Sequence, residues 1–465
     1  MPSDGVAGAG AGAEARARAR AKAGPRGRLS RLIVAEPHEV PAVLGGFALF
    51  FLLFASYFML RPVRETFGIA GGVANLQWLY LGTFAATLVV VPVYGTLAKR
   101  MQRRRLLPAT YIFSAIVMAG FALGLLIDPE NVWTARAFYI WLSVFNLFVI
   151  SIAWSLMADA FNKDQGHRLF AQIAAGGSLG GLTGPLLSGL LVAPLGHAGL
   201  LLLSTGLLLS TVVPARRVLA WRERHGSPED PHDPPATRIG GSIWAGLTLV
   251  ARSPYLLGVS AFVIGLTVVS TFLYFEQARV VEATFPDRAA QTQVFSAIDF
   301  TVQALTIFIQ IFVTGRLTKR LGVTVLLVAV PVTMMFGFGL LAVAATFPVL
   351  VFVMIVRRVG EYALVRPGRE MLFTSVDAET KYKAKNAIDT FVYRGGDVIG
   401  AWANVGIVAI GTTGAAAIAG TVVAGAWGVV GWLLGRRHDG EAERPAAPGS
   451  DEEDGDALGL EPRAR

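Results

Sequence analysis

Residues 357–397 read RRVGEYALVRPGREMLFTSVDAETKYKAKNAIDTFVYRGGD. Arg357, Arg358, Glu361, Arg366, Arg369 and Glu370 come first. Lys381, Lys383 and Lys385 follow an acidic turn, and Asp389, Arg394 and Asp397 enter the next segment. Long apolar runs bracket the stretch on both sides. A charge inside a bilayer costs roughly 2.5–3.5 kcal/mol on insertion scales and is tolerated mainly where it faces a wet cavity or finds a partner. So much charge between apolar runs therefore predicts a polar pathway enclosed by membrane helices.

Composition supports that reading. Of 465 residues, 54% are hydrophobic and 16% charged, with a mean hydropathy of +0.55. Soluble domains average about 25% charged residues. Several apolar runs approach the roughly 20 residues that cross a hydrocarbon core as helix. The expected fold class is all-α integral membrane, in contact with the lipid bilayer. The chain has no cysteine, which excludes disulfides, thiolate metal sites and thiol nucleophiles. Its formal charge of +9 fits basic loops on one membrane face rather than nucleic-acid binding.

Twelve spans are expected, near 41–60, 73–98, 106–127, 133–160, 169–192, 199–219, 255–280, 292–317, 323–346, 347–364, 386–410 and 414–434. Basic clusters at 99–105, 214–254 and 316–320 alternate with loops holding few cations. That pattern predicts both termini on the cytoplasmic side, in a bacterial inner membrane. The Pro-rich segment WRERHGSPEDPHDPPATRIG divides the spans six and six. The expected organisation is a disordered basic arm (1–40), a six-helix bundle (41–220), a cytoplasmic linker (221–254), a second bundle (255–435) and a disordered tail (436–465). The halves echo each other: GTLAKR at 95–100 matches GRLTKR at 315–320, and Asp159-Ala-Phe-Asn-Lys163 matches Asp377-Ala-Glu-Thr-Lys381. Two parallel six-span repeats resemble the architecture of the major facilitator superfamily. GTLAKRMQRRR also resembles that superfamily's loop between spans two and three, with Lys99 where an Asp is usual.

Polar residues inside the spans mark candidate binding groups. Tyr57, Arg61 and Arg64 share one helical face at the end of span one, with Pro62 expected to kink or interrupt the helix. The alternative is that both arginines snorkel to the headgroups. In span eight Asp299, Gln303, Thr306 and Gln310 form one polar stripe, the pattern of a cavity lining. Glu276 and Arg279, three apart, either neutralise each other or serve a site. Asn146 and Asp159 mark span four. Gly176, Gly177, Gly180, Gly181 and Gly184 in span five predict close helix packing. No GxxxxGK[ST] loop occurs, so transport is expected to be secondary rather than ATP-driven.

The run EYALVRPGREMLFTSVDAETKYKAKNAID resembles the signature of the ATP:ADP antiporter (nucleotide transporter) family. The matching positions are Tyr362, Leu364, Pro367, Arg369, Glu370, Met371, Asp377, Lys381, Lys383, Lys385, Ala387, Ile388 and Asp389. Leu60-Arg61-Pro-Val-Arg64-Glu65 is similar to that family's Leu-Arg-x-x-Lys-Asp. Asp159, Arg168 and Phe170 resemble its Asn-Glu…Lys-Arg-Phe segment. The resemblance implies a distant member, with Arg64, Asp159 and Glu276 at positions of charged residues important for nucleotide exchange. The chain departs from the family at Asp397, which stands where a Lys is found, with Arg394 three residues away.

The expected substrate-binding set is Arg61, Arg64, Asp159, Glu276, Asp299, Gln303, Lys385, Asp389, Arg394 and Asp397. Guanidinium forks suit phosphate or carboxylate, so a secondary transporter of an anionic small molecule, a nucleotide among the candidates, is the leading reading. A proton-coupled carrier of another small organic solute, with Asp299 or Glu276 as proton carrier, is the alternative. A membrane scaffold or sensor without flux is a third. No enzymatic activity, cofactor or metal is expected, and a monomer is favoured.

Overall fold

In the computed structural model, residues 35–100, 103–225, 243–411 and 414–442 are described. The basic arm before residue 35, the Pro-rich part of the linker and the tail beyond residue 442 lie outside the described residues.

Twelve helical segments thread back and forth. Span one is Val40–Ile69, span two Leu76–Arg100, span three Arg103–Ile127 and span four Val132–Ala160. Spans five and six form one run, Lys163–Ser210, bent where Gly196 adopts φ 65°. This conformation costs glycine little and other residues much. Val212–His225 continues the sixth. Span seven is Pro254–Thr284. Span eight, Arg288–Ile309, passes through a π-turn at Gln310–Thr314 and bends into span nine at Gly322, φ 75°. Span ten joins Phe347–Gly360, a π-turn at Glu361–Val365 and Arg366–Leu372. Span eleven joins Ala378–Ala387, a π-turn at Ile388–Val392 and Tyr393–Ile410. Ala415–Ala442 is the twelfth. Among the described residues, 9 runs have the length and apolarity of a membrane crossing. One of these is the bent pair of spans five and six; spans ten and eleven are missing because of their own charges.

The helix starts are written locally. Asn131 caps span four through Thr134 N–H. Asn162 and Gln165 form a reciprocal capping box at span five. Ser253, Asp287 and Asp377 each accept from the backbone N–H three residues on. Backbone and side-chain donors of Thr380 hold the Asp377 carboxyl below its usual range.

The structure corrects three expectations. Span one does not stop at Leu60 and is not interrupted at Pro62; it continues to Ile69. Arg61 and Arg64 therefore lie inside the helix, their side chains 18% and 17% exposed, and do not snorkel. Residues 366–385, read as a loop, are mostly helical, and the true connection is Phe373–Asp377. Pro367 falls in the first turn of a helical segment, where its missing N–H matters least.

The glycines of span five do pack as expected. A Cβ at Gly176 would sit 2.2 Å from Phe47 O, and one at Gly180 2.3 Å from Phe51 O, so spans one and five touch backbone to backbone. One buried apolar cluster draws on Ala35 to Trp221 and a second on Val250 to Leu434. A third, with Ile69, Leu76, Tyr139, Phe275 and Ala401, joins the two halves at the end away from the termini. Polar ties reinforce that end. Thr66 and Thr292 hydroxyls are 2.7 Å apart, His197 lies 3.0 Å from Thr292, and Arg288 donates to Pro129 O and pairs with Glu130 at 2.8 Å.

Candidate functional site

Between the halves lies a cavity of about 820 Å³, reaching from Tyr80, Tyr139 and Tyr274 to Glu370 and Asp389 near the end that carries the termini. Spans one, two, four, five, seven, eight, ten and eleven all contribute to its wall. The span-eight stripe lines it with all four members, Asp299, Gln303, Thr306 and Gln310. Six of the chain's 10 tyrosines face it: Tyr57, Tyr80, Tyr139, Tyr274, Tyr362 and Tyr393.

Charge dominates the lining, with seven arginines and six carboxylates. Asp299, side chain 3% exposed, pairs with Arg358 at 2.5 Å and with Arg61 at 3.7 Å. Glu361 pairs with Arg357 at 2.8 Å and with Arg366 at 3.7 Å. Arg369 meets Asp389 at 3.0 Å, Arg394 meets Asp397 at 3.5 Å, and Arg64 bonds to its neighbour Glu65. The guanidinium of Arg366 lies over the Tyr362 ring at 4.4 Å, and Arg61 donates to the Tyr362 hydroxyl at 3.3 Å. Across the midline, Arg394 donates to Ser143 O at 3.2 Å, while Ser143 Oγ receives Arg64 at 3.4 Å.

These pairs do not exhaust the donors. Arg64 Nε, Arg357 Nε, Arg358 Nε and Nη2 and Arg369 Nε are buried without a hydrogen-bond partner, as are the acceptors Glu65 Oε2, Asp299 Oδ2 and Asp389 Oδ1. Buried polar groups left unpaired are costly and need a reason. With Asp299 and Glu361 each shared by two arginines, surplus positive charge collects where span ten faces span one. An anion placed there would meet unused guanidinium N–H groups.

Of the ten residues singled out in the sequence, the cavity brings together Arg61, Arg64, Asp299, Gln303, Asp389, Arg394 and Asp397. Three lie outside its wall. Lys385 pairs with Glu370 at 2.5 Å. Glu276 pairs with Arg279 at 2.7 Å, and Arg279 also reaches Asn404 at 2.5 Å. Asp159 sits one residue before the end of span four. The lining adds Glu65 and, from the charged stretch that opens the sequence reading, Arg357, Arg358, Glu361, Arg366 and Arg369, none of which was placed in the substrate-binding set. Arg357 and Glu361, four apart, and Arg366 and Arg369, three apart, carried helical spacing that could have flagged them.

Comparison with known proteins bears on this geometry. A family model described as Major Facilitator Superfamily matches residues 42–360. ADP,ATP carrier protein 1 of Chlamydia muridarum (strain MoPn / Nigg) is 23% identical over 455 residues, spanning 83% of this chain and 85% of that protein. A bacterial homolog of the human lysosomal transporter Spinster, solved inward-facing and unoccupied, superposes with a TM-score of 0.59 at 14% identity, covering 89% of this chain and 100% of that one. An inward-facing bacterial homologue of the iron transporter ferroportin gives 0.60 at 14% identity, over 86% and 98%.

Proposed function

The chain belongs to the Major Facilitator Superfamily, and from that premise we propose that it is a secondary carrier of a small organic anion, a nucleotide or similar phosphate ester first among them. The observation that carries the substrate reading is the set of buried guanidinium N–H groups without partners in the cavity wall, on Arg357 and Arg358 above all. A planar fork of such donors matches phosphate and carboxylate oxygens. The ADP,ATP carriers of Chlamydia, similar along most of their length, favour a nucleotide, and the tyrosines at the far end of the cavity offer a surface for a flat ring.

The carrier works by alternating access, its six-helix halves rocking about the site between them. Arg61, Arg64 and Arg394 contact the anion, with Asp299, Gln303, Asp389 and Asp397 setting their charge and orientation. Both termini face the cytoplasm of a bacterial inner membrane, because the basic loops lie at that end. The cavity then opens inward in this conformation. Reporter fusions at Pro228 and at the C-terminus test the orientation: a periplasmic readout at either place overturns it.

Proton coupling is the second reading, favoured by Asp299 and Asp397, two carboxylates on the cavity wall. Uptake into proteoliposomes decides between them. Nucleotides, sugar phosphates and uncharged drugs are supplied with and without a pH gradient, after a thermal-shift screen has ranked the same compounds. Anion uptake without a gradient supports the anion-carrier reading. Uptake only of uncharged solutes, and only with a gradient, replaces it.

A further inference from the structure

The charges of the cavity are grouped in a way that bears on how the carrier resets. All seven lining arginines have a carboxylate within ion-pair distance. For six of them that carboxylate lies on the same half. Arg64 and Glu65 are both on span one. Arg358 and Asp299 lie on spans ten and eight, Arg357 and Arg366 share Glu361 within span ten, and Arg369 meets Asp389 on span eleven. Arg394 and Asp397 are three apart on span eleven. Among these ion pairs of the described residues, only Arg61 to Asp299 crosses the midline, beside the hydrogen bonds from Arg61 to Tyr362 and from Arg394 to Ser143 O.

Pairs within one rigid half move with it. When the halves rock, these six pairs are neither made nor broken, so most of the wall's charge stays paired in every orientation and Arg61 alone parts from its carboxylate. A site with bare arginines behaves otherwise. Occluding it empty takes unpaired charge out of water, which is strongly unfavourable, and such a carrier closes only around its anion. We infer that this carrier reorients while empty and so supports net, one-way movement of its substrate, with no obligation to return a counter-substrate on each cycle. The inference rests on the anion-carrier reading and adds its transport mode.

Asp299 and Glu361 are the positions where this mode is set, since each serves two arginines. Glu361→Gln keeps the shape but leaves Arg357 and Arg366 without a counter-charge. That change converts the protein into one that closes only when an anion is bound.

The absence of native cysteine allows a direct test. His167→Cys, exposed near the start of span five, and Tyr382→Cys, 51% exposed at the foot of span eleven, place spin labels on the two halves at the end with the termini. Pulsed electron–electron distance measurements are made on the purified full-length protein in nanodiscs with no added solute. Two distances, long and short, are expected. Glu361→Gln in the same background reduces the short-distance population by about tenfold or more, and Glu361→Asp restores it. Should Glu361→Gln fail to fold, Asp299→Asn makes the same comparison. A single long distance in the parent, or an undiminished short one in the variant, overturns the inference. A protein that accumulates anions but shows one distance without them sinks the inference alone. One that shows both distances but carries no anion sinks the substrate reading alone.

Discussion

Asp299 holds Arg358 at 2.5 Å while its other oxygen faces Arg61 at 3.7 Å, so one carboxylate serves guanidinium groups from both halves. Removing one member of a buried pair leaves the other charge uncompensated, at a cost of about 3–5 kcal/mol. Asp299→Ala is expected to lower thermal stability in detergent by that order. Asp299→Ala with Arg358→Met should recover part of it, because the more deeply buried arginine is then no longer bare and Arg61 alone is left without its carboxylate. Equal melting of the single and double variants would show that the pair carries no such penalty.

Arg64 is expected to act on transport more than on folding. Arg64→Ala should reduce uptake of an anionic substrate into proteoliposomes on the order of a hundredfold, with expression and monodispersity retained. Arg64→Lys should recover part of it, keeping the charge but not the fork. Full uptake by Arg64→Ala removes this arginine from the site.

The contact between spans one and five gives a packing test. A Cβ at Gly180 would lie 2.3 Å from Phe51 O, whereas one at Gly206 meets nothing within 4 Å. Gly180→Ala should destabilise by about 1–3 kcal/mol, and Gly206→Ala should be neutral or slightly stabilising. Indistinguishable melting temperatures for the two would refute the backbone contact.

Outside the spans, Glu39 predicts a pH dependence. Burial pushes its carboxyl up, but the Glu36 N–H, Gln165 and Arg168 outweigh this and hold it below its ordinary value of 4.5. A carboxyl depressed in the folded state stabilises that state above about pH 4.5 and loses this contribution as pH falls through the lowered value. Glu39→Gln should therefore melt earlier than the parent at pH 7, with the gap narrowing as pH falls below 4. A gap that is constant with pH would point to shape rather than charge.

Much of this was legible in the sequence. Twelve spans and the span-eight stripe follow from apolar length and from a 3.6-residue period, and the stripe survives because Asp299 to Thr306 lies on regular α-helix and Gln310 only opens the π-turn. Span ten hid its arginines for the opposite reason. The π-turn at Glu361–Val365 shifts the period, so Arg357 and Arg366, nine apart, fall on opposite faces under α-helical spacing. Ending the span at Leu364, before Pro367, then placed half of them in a loop. The tyrosines were invisible for another reason. Tyr80, Tyr139 and Tyr274 come from spans two, four and seven, and only tertiary packing puts them together. Glu65 was in plain view beside Arg64 in the Leu60–Glu65 motif, but with span one ending at Leu60 it fell outside the span.

The three π-turns all lie in the second half among the described residues, at Gln310–Thr314, Glu361–Val365 and Ile388–Val392. A π-turn behaves as an α-helix that has absorbed one surplus residue, and each α-helical residue turns the chain by about 100°. Deleting one residue at Thr390 would let span eleven relax to regular α-helix while Arg394 and Asp397 keep their aim relative to Lys385. The same deletion in span one, whose helix is regular from Val40 to Ile69, has no slack to take up and would throw Arg61 and Arg64 off the wall. The two repeats share a plan but differ in their tolerance of insertions and deletions. A change of length can therefore be taken up in the second half with its charges still aimed at the cavity, while in the first it turns them away.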